Sequence, residues 1–231
     1  MASTYNLVDY DSEEERLKNP EGPPAANLFA AAEYISGLFN ANSVDYAVMG
    51  GFAMICRGSF RTTSDVDVVA EATMSALWRI IEPQPRLIIP NTKLVSGVIR
   101  VFVKTGFASG DADCPQNWNV EVDLIRPGVH GTPLSVRNNM NNLLVDVFGT
   151  TLTFSGLNIL YMMRTKLKCC SSRGFGRDMG DLEYLLKHEG HNVTAIADQL
   201  DEGDKEFFLG TAFVRDKGDE VAAHWRALLR C

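Results

Sequence analysis

Three short stretches of this chain carry residues whose types and spacing point to chemistry. Asp65-Val66-Asp67 places two carboxylates two positions apart. On a strand such residues share a face, with the valine between them turned to the other side. Val120-Glu121-Val122-Asp123 repeats the arrangement further along. Like charges held side by side repel unless a cation compensates them, and hard carboxylate oxygens suit Mg²⁺. An isolated pair of this kind also fits an edge strand with two solvated acids. If the two strands are neighbours, one acid of the second pair completes a three-carboxylate cluster, which solvated surface does not explain. The third stretch is Gly50-Gly51 after the apolar Asp45–Met49. Glycines at a strand end let backbone N–H groups approach a phosphate, although a tight turn needs them too.

Elements must position these residues, and the pattern supplies them. Helical spacing predicts a first helix over 25–40 and another over 72–82, stopping before Pro83. A short helix is expected over 52–58. Strands are expected at 45–49, 65–69, 86–89, 97–104 and 118–125, with a hairpin over 143–154 around Gly149-Thr150. From Ser155, a candidate N-cap, the chain turns helical: 156–170, 178–188, 192–200, 204–214 and 218–229. Gly174-Phe175-Gly176 reads as a connection between helices. The fold class is therefore α+β: a mixed β-sheet core flanked by helices, followed by a helical C-terminal region. Three segments are expected: a flexible acidic leader (1–24), a core (25–155) and a helical region packed on it (156–231).

Composition bounds the function. The 231 residues carry 29 acids and 22 bases, a net charge of −7, which disfavours bulk nucleic-acid binding. The imbalance is local: residues 1–24 hold six acids and two bases, 25–177 are net +3, and 178–231 are net −6. Between Asp146 and Asp178 there are five bases and no acid, a patch sized for a small anion such as a triphosphate. No apolar run nears the roughly 18 residues of a membrane span, and the acidic N-terminus lacks a signal-peptide core. The five cysteines form no CxxC pair, so a reducing compartment, by default the cytosol, is expected. The four histidines are scattered without metal-ligand spacing.

Taken jointly, the motifs are far more specific than their parts. A hydrophobic strand, Gly-Gly, 13 intervening residues, Asp65-Val66-Asp67 and a later strand carboxylate resemble the nucleotidyltransferase superfamily that includes DNA polymerase beta. GGFAMICRGSFRTTSDVDVV is especially similar to its minimal, antibiotic-modifying and AbiEii-toxin-like members, with Arg61 to Ser64 as the lead-in to the acids. LLVDVFGTTLTFSGLNILYMMRTKL and RGFGRDMGDLEYLL extend the resemblance to about residue 190, matching Lys166, Arg173, Arg177, Asp178, Asp181 and Leu182.

That resemblance implies a nucleotidyltransferase-like fold and a site with two Mg²⁺ ions. Asp65 and Asp67 would hold Mg²⁺ bridged to the triphosphate of an NTP, with ATP the favoured donor. Asp123 would hold the metal that activates the acceptor. Glu121 competes for that role or acts as general base. Gly50 and Gly51 would face the phosphates with backbone donors alone, since Gly51 stands where other members use a serine. Arg61, Ser64 and Lys166 would neutralise or bind phosphate, while Asp178 and Asp181 anchor a helix through ion pairs. The activity implied is transfer of a nucleoside monophosphate to a hydroxyl of a small molecule or a protein, with oligomeric state open. Two alternatives keep the fold: a non-catalytic nucleotide- or ligand-binding module, and a different biosynthetic reaction.

Overall fold

The computed structural model describes residues 1–11, 14, 17–93, 97–174 and 176–231. It divides into two compact units. The first comprises Met1–Val129 and Leu134–Gly156, and the second His130–Pro133 and Leu157–Cys231.

The first unit is built on a mixed sheet of eight described strands: β1 (Ser3–Tyr5), β2 (Tyr46–Met49), β3 (Asp65–Ala70), β4 (Leu87–Pro90), β5 (Val98–Thr105), β6 (Trp118–Ile125), β7 (Met140–Val147) and β8 (Thr150–Leu157). Their order across the sheet is β1-β4-β5-β6-β3-β2-β8-β7. Strands β3 and β6 run parallel, while β5 and β2 flank them antiparallel. Helices α1 (Ala25–Ala41), α2 (Gly50–Cys56) and α3 (Met74–Ile81) complete this unit.

Alternation sorts the faces. Ile99, Val101 and Val103 of β5, Val120, Val122 and Leu124 of β6, and Val66 and Val68 of β3 are buried. Helix α1 packs over this apolar side. Its Asn27 Nδ2 donates to Thr105 Oγ1 (2.8 Å) and to the Gln116 carbonyl (2.9 Å), tying the helix start to the ends of β5 and β6. Phe29 of α1, Phe52 of α2 and Phe154 of β8 form a ring trio with centroids 5.2–6.1 Å apart. Burying each such side chain stabilises the fold by about 1.5–3 kcal/mol. The opposite side of β3, β5 and β6 is left to Asp65, Asp67, Arg100, Phe102, Glu121 and Asp123.

The second unit is helical: α4 (Ile159–Arg173), α5 (Gly176–His188), α6 (Gly190–Ile196), α7 (Glu202–Leu209), α8 (Ala212–Arg215) and α9 (Asp219–Leu229). Its core holds Phe208 stacked on Trp225, centroids 5.7 Å apart.

Several expectations need correcting. The segment expected to be a flexible leader contributes β1, which pairs parallel with β4 from Ser3↔Ile88 to Tyr5↔Pro90. Part of that segment (12, 13, 15 and 16) lies outside the described residues, as does Phe175 of the Gly174-Phe175-Gly176 connection. Asn158, not Ser155, caps α4, accepting from the Tyr161 N–H (3.1 Å), because Ser155 still belongs to β8. The helix expected over 192–200 is α6 followed by one 3₁₀ turn, Ala197–Gln199. The one expected over 204–214 is broken after Leu209 by Gly210, and Thr211 caps a new start by accepting from Val214 N (3.4 Å).

Candidate active site

The two acidic motifs lie side by side. In the β3–β6 ladder Asp65 pairs with Glu121 and Asp67 with Asp123. Paired residues of adjacent strands share a face, so all four carboxylates emerge on the side away from α1. The valines between them anchor both strands from below at 0% exposure. Packing of Val66 and Val122 thus sets the register that gathers the acids.

The Gly-Gly pair stands at the end of β2, where Met49 pairs with Asp67. Gly50 has φ +63, and a Cβ there would lie 1.8 Å from Asp67 Oδ2. Both facts require glycine. A Cβ on Gly51 would lie 2.5 Å from Thr63 Oγ1 and 3.1 Å from Arg61 Nη2. The Arg61–Ser64 lead-in is therefore laid against the glycines, and Thr63 Oγ1 donates to Asp65 Oδ1 (2.8 Å). Arg61 Nε donates to the Thr62 carbonyl (3.1 Å). Ser64 lines a cavity with Tyr10, Phe102 and Glu121.

Two residues at this face escaped the sequence reading. Arg100 of β5, opposite Asp123 in the ladder, donates from Nε to Asp123 Oδ1 and from Nη2 to Oδ2, both at 2.8 Å. Its Nε also lies 3.1 Å from Glu121 Oε1. This fork geometry is the strong form of a carboxylate pair, and the hydrogen bond to Asp123 raises the guanidinium pKa further above its ordinary value. Tyr10 Oη donates to Glu121 Oε2 at 2.6 Å. Glu121 is 8% exposed. Burial raises its carboxyl pKa, with Asp123 and Asp65 adding, against the Tyr10 hydrogen bond and Arg100. The lone arginine in the apolar run of β5 was the available signal for Arg100. Nothing in the acidic N-terminal segment marks Tyr10.

Lys166 belongs to the second unit. It lies on α4, 5% exposed, with Nζ 2.5 Å from Asp181 Oδ2 and 3.7 Å from Asp178 Oδ1, both on α5. Arg173 also reaches Asp178, at 3.4 Å. Two buried carboxylates thus hold the charge expected to face phosphate, and the pairing joins α4 to α5.

Two cavities open on the acidic face. One, of about 360 Å³, is lined by Leu7, Tyr10, Trp78, Val98, Arg100 and Asp123, among others. The other, of about 510 Å³, is lined by Tyr5, Tyr10, Ser64, Phe102, Trp118 and Glu121, among others. Asp65 and Asp67 would offer Mg²⁺ hard oxygens from consecutive same-face positions. Asp123 retains lone pairs beyond the two that Arg100 engages.

The chain aligns with the solved structure of an antigenic nucleotidyltransferase-like protein from Paracoccidioides brasiliensis over 90% of its own length and 95% of that chain. The TM-score is 0.54 and the identity 14%. The fold is nucleotidyltransferase-like. JHP933 from Helicobacter pylori aligns over 87% of this chain and 90% of its own, with TM-score 0.47 and 17% identity. The CCA-adding enzyme solved with ATP aligns over 94% of this chain and 50% of its own, with TM-score 0.37 and 10% identity. No protein-family model and no curated protein sequence matches the chain. No described helix is long and apolar enough to cross a membrane.

Proposed function

We propose that this chain is a magnesium-dependent nucleotidyltransferase that moves a nucleoside monophosphate, AMP from ATP, to a hydroxyl of a small molecule or a protein. One observation carries the reading: the β3–β6 register, which sets Asp65 beside Glu121 and Asp67 beside Asp123 on one face. The crowding of Gly50 against Asp67 supports it, since it brings the start of α2 within reach of whatever the acids hold. Gly-Gly and the Arg61 lead-in favour the minimal, antibiotic-modifying and AbiEii-toxin-like branch. Cavities of about 360 and 510 Å³ suit a small molecule or one side chain better than a polymer. Free cysteines throughout the chain favour a cytosolic setting.

In this reading Asp65 and Asp67 would hold one Mg²⁺, and Asp123 would hold a second. Bound Mg²⁺ supplies charge neutralisation for in-line displacement at the α-phosphorus. Gly50 and Gly51 place backbone N–H groups at the phosphates, and Arg61 adds a cation beside them. Glu121 accepts the acceptor's proton, a role for which a raised pKa is suited. A second reading, a non-catalytic binding module, is favoured by Arg100, whose guanidinium already neutralises Asp123.

The test is calorimetric titration of each NTP, with and without Mg²⁺, into the wild type and an Asp65→Asn/Asp67→Asn double variant. Mg²⁺-dependent binding of one NTP, lost in the variant, is expected. Absence of binding for all four overturns the transferase reading.

A further inference from the structure

Tyr10 is a hydroxyl nucleophile set against the acids, and we propose that it is an acceptor site: the chain transfers a nucleoside monophosphate to its own Tyr10. The inference rests on the transferase reading above. Tyr10 Oη donates to Glu121 Oε2 at 2.6 Å. Glu121 faces Asp65 across the ladder and precedes Asp123 by two positions, roughly 7 Å along the strand. The phenol is therefore bonded to a carboxylate that neighbours two of those assigned to metal, Asp65 across the ladder and Asp123 along the strand.

The ring is held there by design of its surroundings. It packs edge-on against Tyr5 (centroids 5.5 Å apart) and Phe102 (5.1 Å), and the Arg100 guanidinium lies 6.0 Å from its centroid. Tyr5 is fixed in turn by β1 and by its hydroxyl, which donates to the Arg100 carbonyl (3.1 Å). The N-terminal segment is thereby laid across the acidic face with a hydroxyl directed at a carboxylate. Tyr10 also borders both cavities, so a ligand in either meets it. Thr63, whose hydroxyl also donates to an acid of the site, does not compete. It is 7% exposed, and its Oγ1 is wedged where a Cβ on Gly51 would stand.

The step balances without further reactants. The Tyr10 Oη–Pα bond forms and the bond from Pα to its bridging oxygen breaks. Pyrophosphate leaves with that electron pair, and the phenolic proton passes to Glu121 Oε2. The product is a nucleotidyl-tyrosine.

The experiment incubates the full chain with Mg²⁺ and each α-labelled NTP, followed by intact mass and peptide mapping. Calorimetric NTP binding is measured on the same samples. Label approaching one nucleoside monophosphate per chain is expected, mapping to Tyr10 and absent from Tyr10→Phe and from Asp65→Asn/Asp67→Asn. Glu121→Gln should slow labelling about 100-fold or more. Tyr10→Phe keeps the ring contacts, and mapping of the wild type decides the site even if that variant is unstable. Mg²⁺-dependent NTP binding with no adduct, or with the adduct on another residue, overturns this inference and leaves the transferase reading standing. No NTP binding overturns both.

Discussion

Replacing Arg100 by Met tests whether a protein cation holds the acidic face together where no metal does. Methionine keeps most of the apolar stem and removes the charge. The lost contacts are the bidentate pair with Asp123 (2.8 Å twice) and the 3.1 Å contact with Glu121. Side chains of Arg100, Asp123 and Glu121 are 28%, 15% and 9% exposed. Removing one partner of a fully buried pair costs about 3–5 kcal/mol. Partial solvent access at Arg100 discounts this to roughly 2–4 kcal/mol. At about 2–4 °C per kcal/mol for a chain of this size, the metal-free Tm should fall by roughly 4–16 °C. Four carboxylates then share one face without their guanidinium, and Mg²⁺ should recover more stability in the variant than in the wild type. Saturation at about 100 times Kd returns some 2.7 kcal/mol. Arg100→Lys, which keeps the charge and loses the fork, should fall between the two. Thermal melts in EDTA and in Mg²⁺ measure all three proteins. A variant that loses stability but gains no Mg²⁺ response would refute the idea that Arg100 and metal compete for the same carboxylates. An unchanged Tm would refute the energetic importance of the pair.

Three other outcomes are expected. Gly50→Ala should lower Tm and abolish Mg²⁺-dependent nucleotide binding, because its φ of +63 costs an L-residue about 1–2 kcal/mol and its Cβ would drive into Asp67; calorimetry and melting check both. Burial alone would raise the Glu183 pKa, but hydrogen bonds from Lys187 and Lys217, each 2.7 Å, outweigh it and hold the carboxyl below its usual value. The stabilisation from Glu183 is therefore complete above its unfolded pKa and lost as pH falls through the lower folded one. The Tm gap between wild type and Glu183→Gln should be widest near pH 7 and vanish in strong acid. Burial pushes the Cys56 thiol up to about 12, so in the folded chain it should react with thiol reagents more slowly than exposed Cys231.

What was legible in the sequence divides by range. Alternation is a local signal, so Asp65-Val66-Asp67 and Glu121-Val122-Asp123 declared their strands and their shared faces, and 118–125 matched β6 end to end. That β3 and β6 are neighbours in register is a non-local fact, reached only through resemblance. Strand β1 has three residues, too few to show a period, and its place depends on β4 offering an edge. Tyr10 follows from that path and from nothing in its own neighbourhood.

Lys166 makes the same point for charge. The run from 147 to 177 holds five bases and no acid, and so reads as a surface for anions. The turn at Gly174 folds α5 back on α4, and acids 12 and 15 positions downstream close on Lys166. The patch that composition offers to a phosphate is partly spent on Asp181 and Asp178 within the second unit. Arg100 is the reverse case, a cation in an apolar strand that composition does not notice, yet it meets the acids directly. Local charge density measures sequence neighbours, whereas a site is built by residues that only the fold makes neighbours. Phosphate-binding cations are better sought among residues registered against the acids than among the densest basic runs. By that criterion Arg61 is laid against Gly51 two positions before Thr63 engages Asp65, while Lys166 is paired with Asp178 and Asp181 on the neighbouring helix.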